Sequence, residues 1–195
     1  MTETPVNRGA HLADPGPLGL AGFALTTFLL SCVNSGLVKD TEVAAVLGLA
    51  FAYGGLAQLL AGMWEFAKGN TFGATAFSSY GAFWLSFWWM AEHGEDKAAG
   101  HGVALYLFCW GIFTAYMFVA SLGLGNPALM VVFALLTLTF LLLAFGGWND
   151  AAPGSGLTAV GGWFGLATAV AAWYTSLAGV AAFTFKRPIF PTGAK

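Results

Sequence analysis

Charge is what this chain has least of. Only 8% of its residues are Asp, Glu, Lys or Arg, against about 25% in soluble domains. That scarcity excludes a water-soluble globular domain; the net formal charge of −2 by itself points to no partner, and nucleic acid is not expected. Histidine and cysteine are equally scarce, at three and two residues. His11, His93 and His101 lie in a terminal tail or beside a charged connection, so no histidine stands within an apolar stretch where haem would need an axial ligand. No lysine lies inside such a stretch either, which excludes a retinal-type Schiff base. Cys32 and Cys109 fall within apolar stretches and read as small apolar side chains rather than as a disulfide or metal pair. No cofactor is expected, and the short segments left between apolar stretches have no room for a catalytic domain.

What the chain has in abundance is apolar length. It is 58% hydrophobic, with a mean hydropathy of +0.74. Six windows, 18–38, 43–64, 71–91, 102–122, 128–148 and 157–185, contain no Asp, Glu, Lys or Arg. Each exceeds the roughly 20 residues that cross the hydrocarbon core as a helix. The pattern predicts an all-α integral membrane protein of six transmembrane helices. A tail over 1–13, a membrane domain over 14–185 and a second tail over 186–195 complete the organisation. Lys and Arg placement sets the orientation. With the N-terminus inside, Arg8, Lys68, Lys186, Arg187 and Lys195 are cytoplasmic and only Lys39 and Lys97 face out. Both termini are therefore expected inside, with membrane lipid as the surroundings. The polar first 14 residues give no sign of a cleaved leader.

Turn chemistry supports these boundaries. Gly123, Gly125, Asn126 and Pro127 mark one connection, and Asn149, Asp150, Pro153, Gly154 and Gly156 mark another. Gly161 and Gly165 form a small-residue pair, and Gly54, Gly55 and Gly62 recur along the second window, as expected of closely packed membrane helices. Trp64, Trp84, Trp88, Trp89, Trp148 and Trp163 lie near window ends, where an aromatic belt belongs.

Candidate functional residues fall into three groups. The first is the run Asp14, Pro15, Gly16, Pro17, Leu18, Gly19 and Leu20 at the mouth of the first helix. A helix start of this kind predicts free backbone N–H groups that favour an anion. The second is a pair of small or polar stripes at helical spacing: Phe23, Thr27, Ser31 and Asn34 in the first window, and Thr71, Thr75, Ser78, Ala82 and Ser86 in the third. Such residues either line a polar path or bond to a neighbouring helix. The third is Glu65, one face with Gln58 at the end of the second window. It either pairs with Lys68 or takes part in proton coupling. No basic residue lies within a window, and a bare carboxylate in a low-dielectric medium costs tens of kcal/mol. The path therefore suits small solutes with one charge or none.

At the level of blocks, the chain resembles the acetate uptake transporter family, whose bacterial members are the succinate–acetate permeases. Asp14 to Leu20 is similar to the signature Asn-Pro-Ala-Pro-Leu-Gly-Leu, with Asp14 in place of Asn and Gly16 in place of Ala. Tyr53 to Gln58, Glu65-Phe66, Gly69 to Phe77, Tyr80-Gly81, Phe83-Trp84 and Trp110 to Thr114 also match family blocks. The resemblance implies a six-helix subunit, a homo-hexamer with one pore per protomer, and a bacterial inner-membrane location. It implies acetate, and in some members succinate, as cargo, moved by a channel or a proton-coupled permease. It further implies a hydrophobic constriction of Phe, Tyr and Leu, carried here by Phe23, Tyr80 and Leu135. Asp14, one charge more than the family's Asn, would oppose an anion at the mouth. A channel for small neutral solutes such as urea is the alternative that an aromatic-lined, charge-free path also suits.

Overall fold

The computed structural model describes residues 12–93 and 101–193, and every element within them is helical. The expectations at Arg8, His11, Lys97 and Lys195 lie outside the described residues. Seven α-helices run in order: α1 (Gly16–Asn34), α2 (Ala44–Phe51), α3 (Gln58–Lys68), α4 (Thr71–His93), α5 (His101–Ser121), α6 (Pro127–Trp148) and α7 (Gly156–Phe185). A π-helical turn over Ala52–Ala57 joins α2 to α3, so both belong to one continuous 29-residue span, Asp40–Lys68. Among the described residues, five spans are long and apolar enough to cross a membrane. The remaining long helix, α4, has 23 residues but mixes Ser, Thr, Tyr and Trp into its apolar sequence.

The distribution of side chains is that of a protein solvated by hydrocarbon. Leu60, Phe66, Val119, Val170 and Phe183 are among the exposed apolar residues, whereas Thr26, Gln58, Glu65, Thr114, Ser121 and Thr168 are buried. Five of the buried threonines return their hydroxyls to the carbonyl four residues back, at 2.8–3.0 Å. Backbone and side chain are thereby satisfied without water.

Glycine sets the helix spacing. A Cβ on Gly22 would lie 2.7 Å from the Tyr53 carbonyl oxygen, and one on Gly54 would lie 2.6 Å from Thr26 Oγ1 and 2.9 Å from Trp84 Cδ1. The π turn thus lies where α1 and α4 close on the second span. Gly161 faces Leu143 of α6, and Gly165 faces Ser31 of α1 and Thr139 of α6. The small-residue pair therefore packs within the subunit. Helix α7 packs most extensively on α1 and α6, and Ser176 Oγ donates to the Pro17 carbonyl at 2.7 Å.

Caps close two of the turns. Asn126 accepts from Leu129 N–H at 3.3 Å with Pro127 in the first turn of α6. Gly69, at φ +77°, ends α3 in the left-handed conformation, and Asn70 Oδ1 then accepts from Gly73 N–H at 3.1 Å to start α4.

Candidate functional site

Helix α1 lines two cavities placed end to end. The first, about 430 Å³, takes Gly16, Pro17, Leu20 and Phe23 from α1, and the second, about 470 Å³, takes Phe23, Thr27, Leu30, Ser31 and Asn34. Steps of three and four keep these residues on one helical face. From Pro17 to Asn34 that face extends about 25 Å, close to the roughly 30 Å of a hydrocarbon core. Each cavity has the size of a small-ligand pocket.

The cavities have two residues in common, Phe23 and Leu136. These are 5% and 3% exposed, and together with Tyr80 they form a neck. The Phe23 and Tyr80 rings stand 5.8 Å apart at 50°. Tyr80 is held from behind: its hydroxyl bonds Thr114 Oγ1 at 2.9 Å, and its ring meets Phe113 at 5.3 Å and Trp110 at 6.1 Å. Leu135 is placed elsewhere. It lines a separate outward groove between α6 and α7 with Val131, Trp163 and Val170. Adjacent residues on a helix differ by about 100°, so Leu136 takes the inward position that the sequence reading assigned to Leu135.

The third-window stripe is also placed off the path. α4 runs without a break through Gly73, and its cavity face is Phe72, Gly73, Ala76, Phe77 and Tyr80, continuing through Phe83 and Trp84. Thr71 is exposed and Thr75 half-buried, and neither lines a cavity. Ser78 instead meets Gly62 of α3. Trp84, expected in a lipid-facing belt, is 2% exposed and belongs to the wall of the second cavity.

At the mouth of the first cavity the α1 run is less open than its composition suggests. Asp14 Oδ1 accepts from Gly16 N–H at 3.3 Å, Pro17 has no N–H, and Gly19 N–H is bonded to the Pro15 carbonyl at 3.0 Å. At most one donor of the first helical turn, that of Leu18, is left, and Leu18 faces outward at 44% exposure. Gly19 is buried against the Phe77 ring. Asp14 is neutralised locally by Lys68, whose Nζ lies 2.9 Å from Asp14 Oδ1. The extra charge at the signature's first position therefore has a partner, and Lys68 is not paired with Glu65. Glu65, 2% exposed, lines the cavity and accepts from Asn70 Nδ2 at 2.9 Å.

The residues after α7 return to this mouth. Pro188, Phe190 and Thr192 line the first cavity. Tyr174 Oη donates to the Pro191 carbonyl at 2.7 Å, and Ala128 N–H, at the start of α6, donates to the Thr192 carbonyl at 3.1 Å. At the far end, Asn34, Asp150 and Thr158 edge the second cavity. Among the described residues neither cavity is lined by Lys or Arg, whereas Asp14, Glu65 and Asp150 reach them.

Comparison with known proteins agrees with this architecture. A sequence model described as the GPR1/FUN34/yaaH family matches residues 3–191. Acetate permease A of Emericella nidulans is 47% identical over 185 residues, which cover 87% of this chain and 62% of that protein. The chain thus spans less than two thirds of that relative's length. The succinate-acetate/proton symporter SatP of Escherichia coli K12 is 40% identical over 186 residues, covering 93% of this chain and 96% of SatP. A solved structure of the bacterial acetate channel SatP superposes with a TM-score of 0.85 at 39% identity, covering 93% of this chain and 99% of that one.

Proposed function

The chain belongs to the GPR1/FUN34/yaaH family, and on that premise we propose that it carries acetate and related small carboxylates, succinate among them, across a membrane. The observation that supports this most is the hourglass along α1: two cavities that meet at Phe23 and Leu136 beside Tyr80. Relatives named acetate permease and succinate-acetate/proton symporter supply the cargo class.

A small acid collects in the first cavity, sheds water at the apolar neck and rehydrates in the second. Hydrophobic constrictions of this kind gate by controlling wetting. With acids and no bases on the cavity walls, the least costly crossing is that of the protonated acid, or of the anion moving with a proton. Glu65 is the group placed to exchange that proton, since it is buried, lines the first cavity and is oriented by Asn70. In this reading the assembly has six spans per subunit, both termini inside a bacterial inner membrane, and six subunits each with its own path. The run Asp14 to Leu20 shapes the mouth, with Thr27 and Asn34 as hydrogen-bonding stations beyond the neck. Thr71, exposed, and Thr75, half-buried, line neither cavity and are left out of the path.

The test is uptake of labelled acetate into liposomes holding the purified protein, with and without an inward proton gradient and corrected for empty-liposome leakage. Protein-dependent uptake that succinate reduces supports the carboxylate path, and stimulation by the gradient supports proton coupling through Glu65. Absence of acetate flux beside measurable urea flux would replace the proposal with a neutral-solute channel. Native mass spectrometry in detergent tests the hexamer.

A further inference from the structure

The turn between α6 and α7 holds one acid that the local structure does nothing to favour. Helix α6 closes with Asp150 N–H donating to the Gly147 carbonyl at 3.2 Å and Ala151 N–H donating to the Gly146 carbonyl at 3.0 Å. This is the Schellman arrangement, and Asp150 occupies its left-handed position at φ +51°. Glycine, or at times asparagine, is the usual residue there. A carboxylate also meets the negative end of the α6 dipole, which favours cations instead. Nothing local compensates, because the Asp150 side chain takes part in no hydrogen bond or ion pair among the described residues.

The turn itself is pinned by three helices. Gly154 N–H donates to the Asn34 carbonyl at the end of α1 at 3.0 Å, and a Cβ on Gly36 would lie 2.7 Å from Gly154 Cα. Thr158 Oγ1, in the first turn of α7, donates to the Ala151 carbonyl at 2.8 Å. Asp150 is thereby fixed, exposed to solvent, where it lines the second cavity. Among the described residues no Lys or Arg lines that cavity, and Lys39, beyond the end of α1, lines neither cavity and makes no ion pair. The first mouth is different. Asp14 there has Lys68 at 2.9 Å, and Glu65 is buried and bonded to Asn70. The second mouth thus carries a negative charge with no counter-charge beside it.

We propose that Asp150 is a charge filter at the mouth of the second cavity, ranking solutes there as neutral acid before monoanion before dianion. The proposal rests on the transport reading above and adds a residue that sets its specificity. Like charges repel without contact, so the filter needs no bond to the solute, only a fixed carboxylate beside its route. At low ionic strength a charge about 7 Å away in water lowers the occupancy of a monoanion a little over twofold, and that of a dianion about fivefold because the energy doubles. Monocarboxylates are thereby preferred over dicarboxylates at this mouth by charge rather than by size. A residue that the helix end does not favour, held rigidly at a solute entrance, is the pattern expected where local structure yields to function.

The test measures the charge at the mouth and its effect on cargo separately, in full-length protein. Asp150→Asn and Asp150→Gly both remove the charge and both accept the left-handed backbone, so the turn is kept. For the first arm, Val103→Cys, lining the second cavity at the start of α5, is introduced with Cys32→Ala and Cys109→Ala. Its thiol is labelled with a sulfonate-bearing and with a trimethylammonium-bearing methanethiosulfonate. Removing the charge is expected to raise the anionic-to-cationic rate ratio about fivefold at about 10 mM salt, and to leave it nearly unchanged at about 1 M. A ratio that does not move in either variant, or a change that persists at high salt, overturns the filter. For the second arm, labelled acetate uptake into liposomes is measured at low salt. In Asp150→Asn the half-saturating acetate concentration is expected to fall about twofold, and the succinate concentration that halves uptake about fivefold. Equal responses to the two acids overturn the ranking of cargo by charge. Absence of acetate flux in the wild type is a different failure, that of the transport reading, and the labelling ratio still decides whether the mouth is charged.

Discussion

Truncating Phe23 to alanine acts directly on the neck. The ring is 5% exposed, and it separates cavities of about 430 and 470 Å³. A buried Phe→Ala change costs about 3–5 kcal/mol. Here the vacated space opens into cavities on both sides, so water fills it, and the lower end, about 3 kcal/mol, is expected. The kinetic effect has the opposite sign. A carboxyl group between Phe23, Tyr80 and Leu136 has given up its water. A neck wide enough to retain one of those hydrogen bonds recovers about 1–1.5 kcal/mol, or about tenfold in rate. Tyr80 stays in place through Thr114 and Phe113, so the opening is confined to one side. The assay is uptake into liposomes at fixed protein density, comparing acetate with butyrate. About tenfold faster acetate uptake is expected, with a larger rise for butyrate because the longer acid is the one the ring excludes. A folded Phe23→Ala protein with acetate flux within twofold of the wild type and the same acetate-to-butyrate ratio would refute the neck as the barrier.

Four further outcomes follow from the same geometry. Leu136→Ala is expected to raise acetate flux severalfold while Leu135→Ala leaves it within twofold; the reverse order would show that the α6 face has been assigned one residue out. Tyr80→Phe removes the bond to Thr114, which keeps the Trp110 carbonyl as its acceptor at 2.8 Å, so a stability loss of about 0.5–1.5 kcal/mol and a modest gain in flux are expected by denaturation and uptake assays. Lys68→Met strips the counter-charge from Asp14 at an exposed pair, where the stability effect is about 0–1 kcal/mol. Acetate uptake should fall at low salt and recover as salt screens Asp14, and a salt-independent loss would point away from charge. Ending the chain after Arg187 removes Pro188, Phe190 and Thr192 from the first mouth; faster uptake is expected, and an unchanged rate would mean that the tail is only an edge of the cavity.

Length and caps made the helical spans legible, because an uncharged stretch of 20 residues or an Asn-Pro start such as Asn126-Pro127 has one structural meaning in lipid. Phe23 and Tyr80 were legible through the family blocks that flank them. Leu136 was not. Around Ala134-Leu135-Leu136 nearly every residue is apolar, so no polar stripe marks which side of α6 turns inward, and a one-residue shift changes the face by about 100°. Thr71 and Thr75 misled for the opposite reason. Their polarity marks a stripe, but the path wall on α4 is the aromatic and small face of Phe72, Ala76, Phe77 and Tyr80. Trp84 carried a usable signal, its spacing of four from Tyr80, which outweighs nearness to a window end. The π turn sits among glycine contacts between α1, α4 and the second span, which only the folded arrangement brings together.

The hold of α7 on α1 has a consequence for biogenesis. Helix α1 lines both cavities, yet its main neighbour is α7, far later in the sequence. Ser176 reaches back 159 positions to the Pro17 carbonyl, and Gly162 packs against Asn34 and Ser35 at the other end of α1. Contacts so distant in sequence form late and slowly. Until α7 is inserted, the α1 side of the hourglass faces lipid, so a chain stalled before residue 156 holds an open cleft rather than a leaky pore.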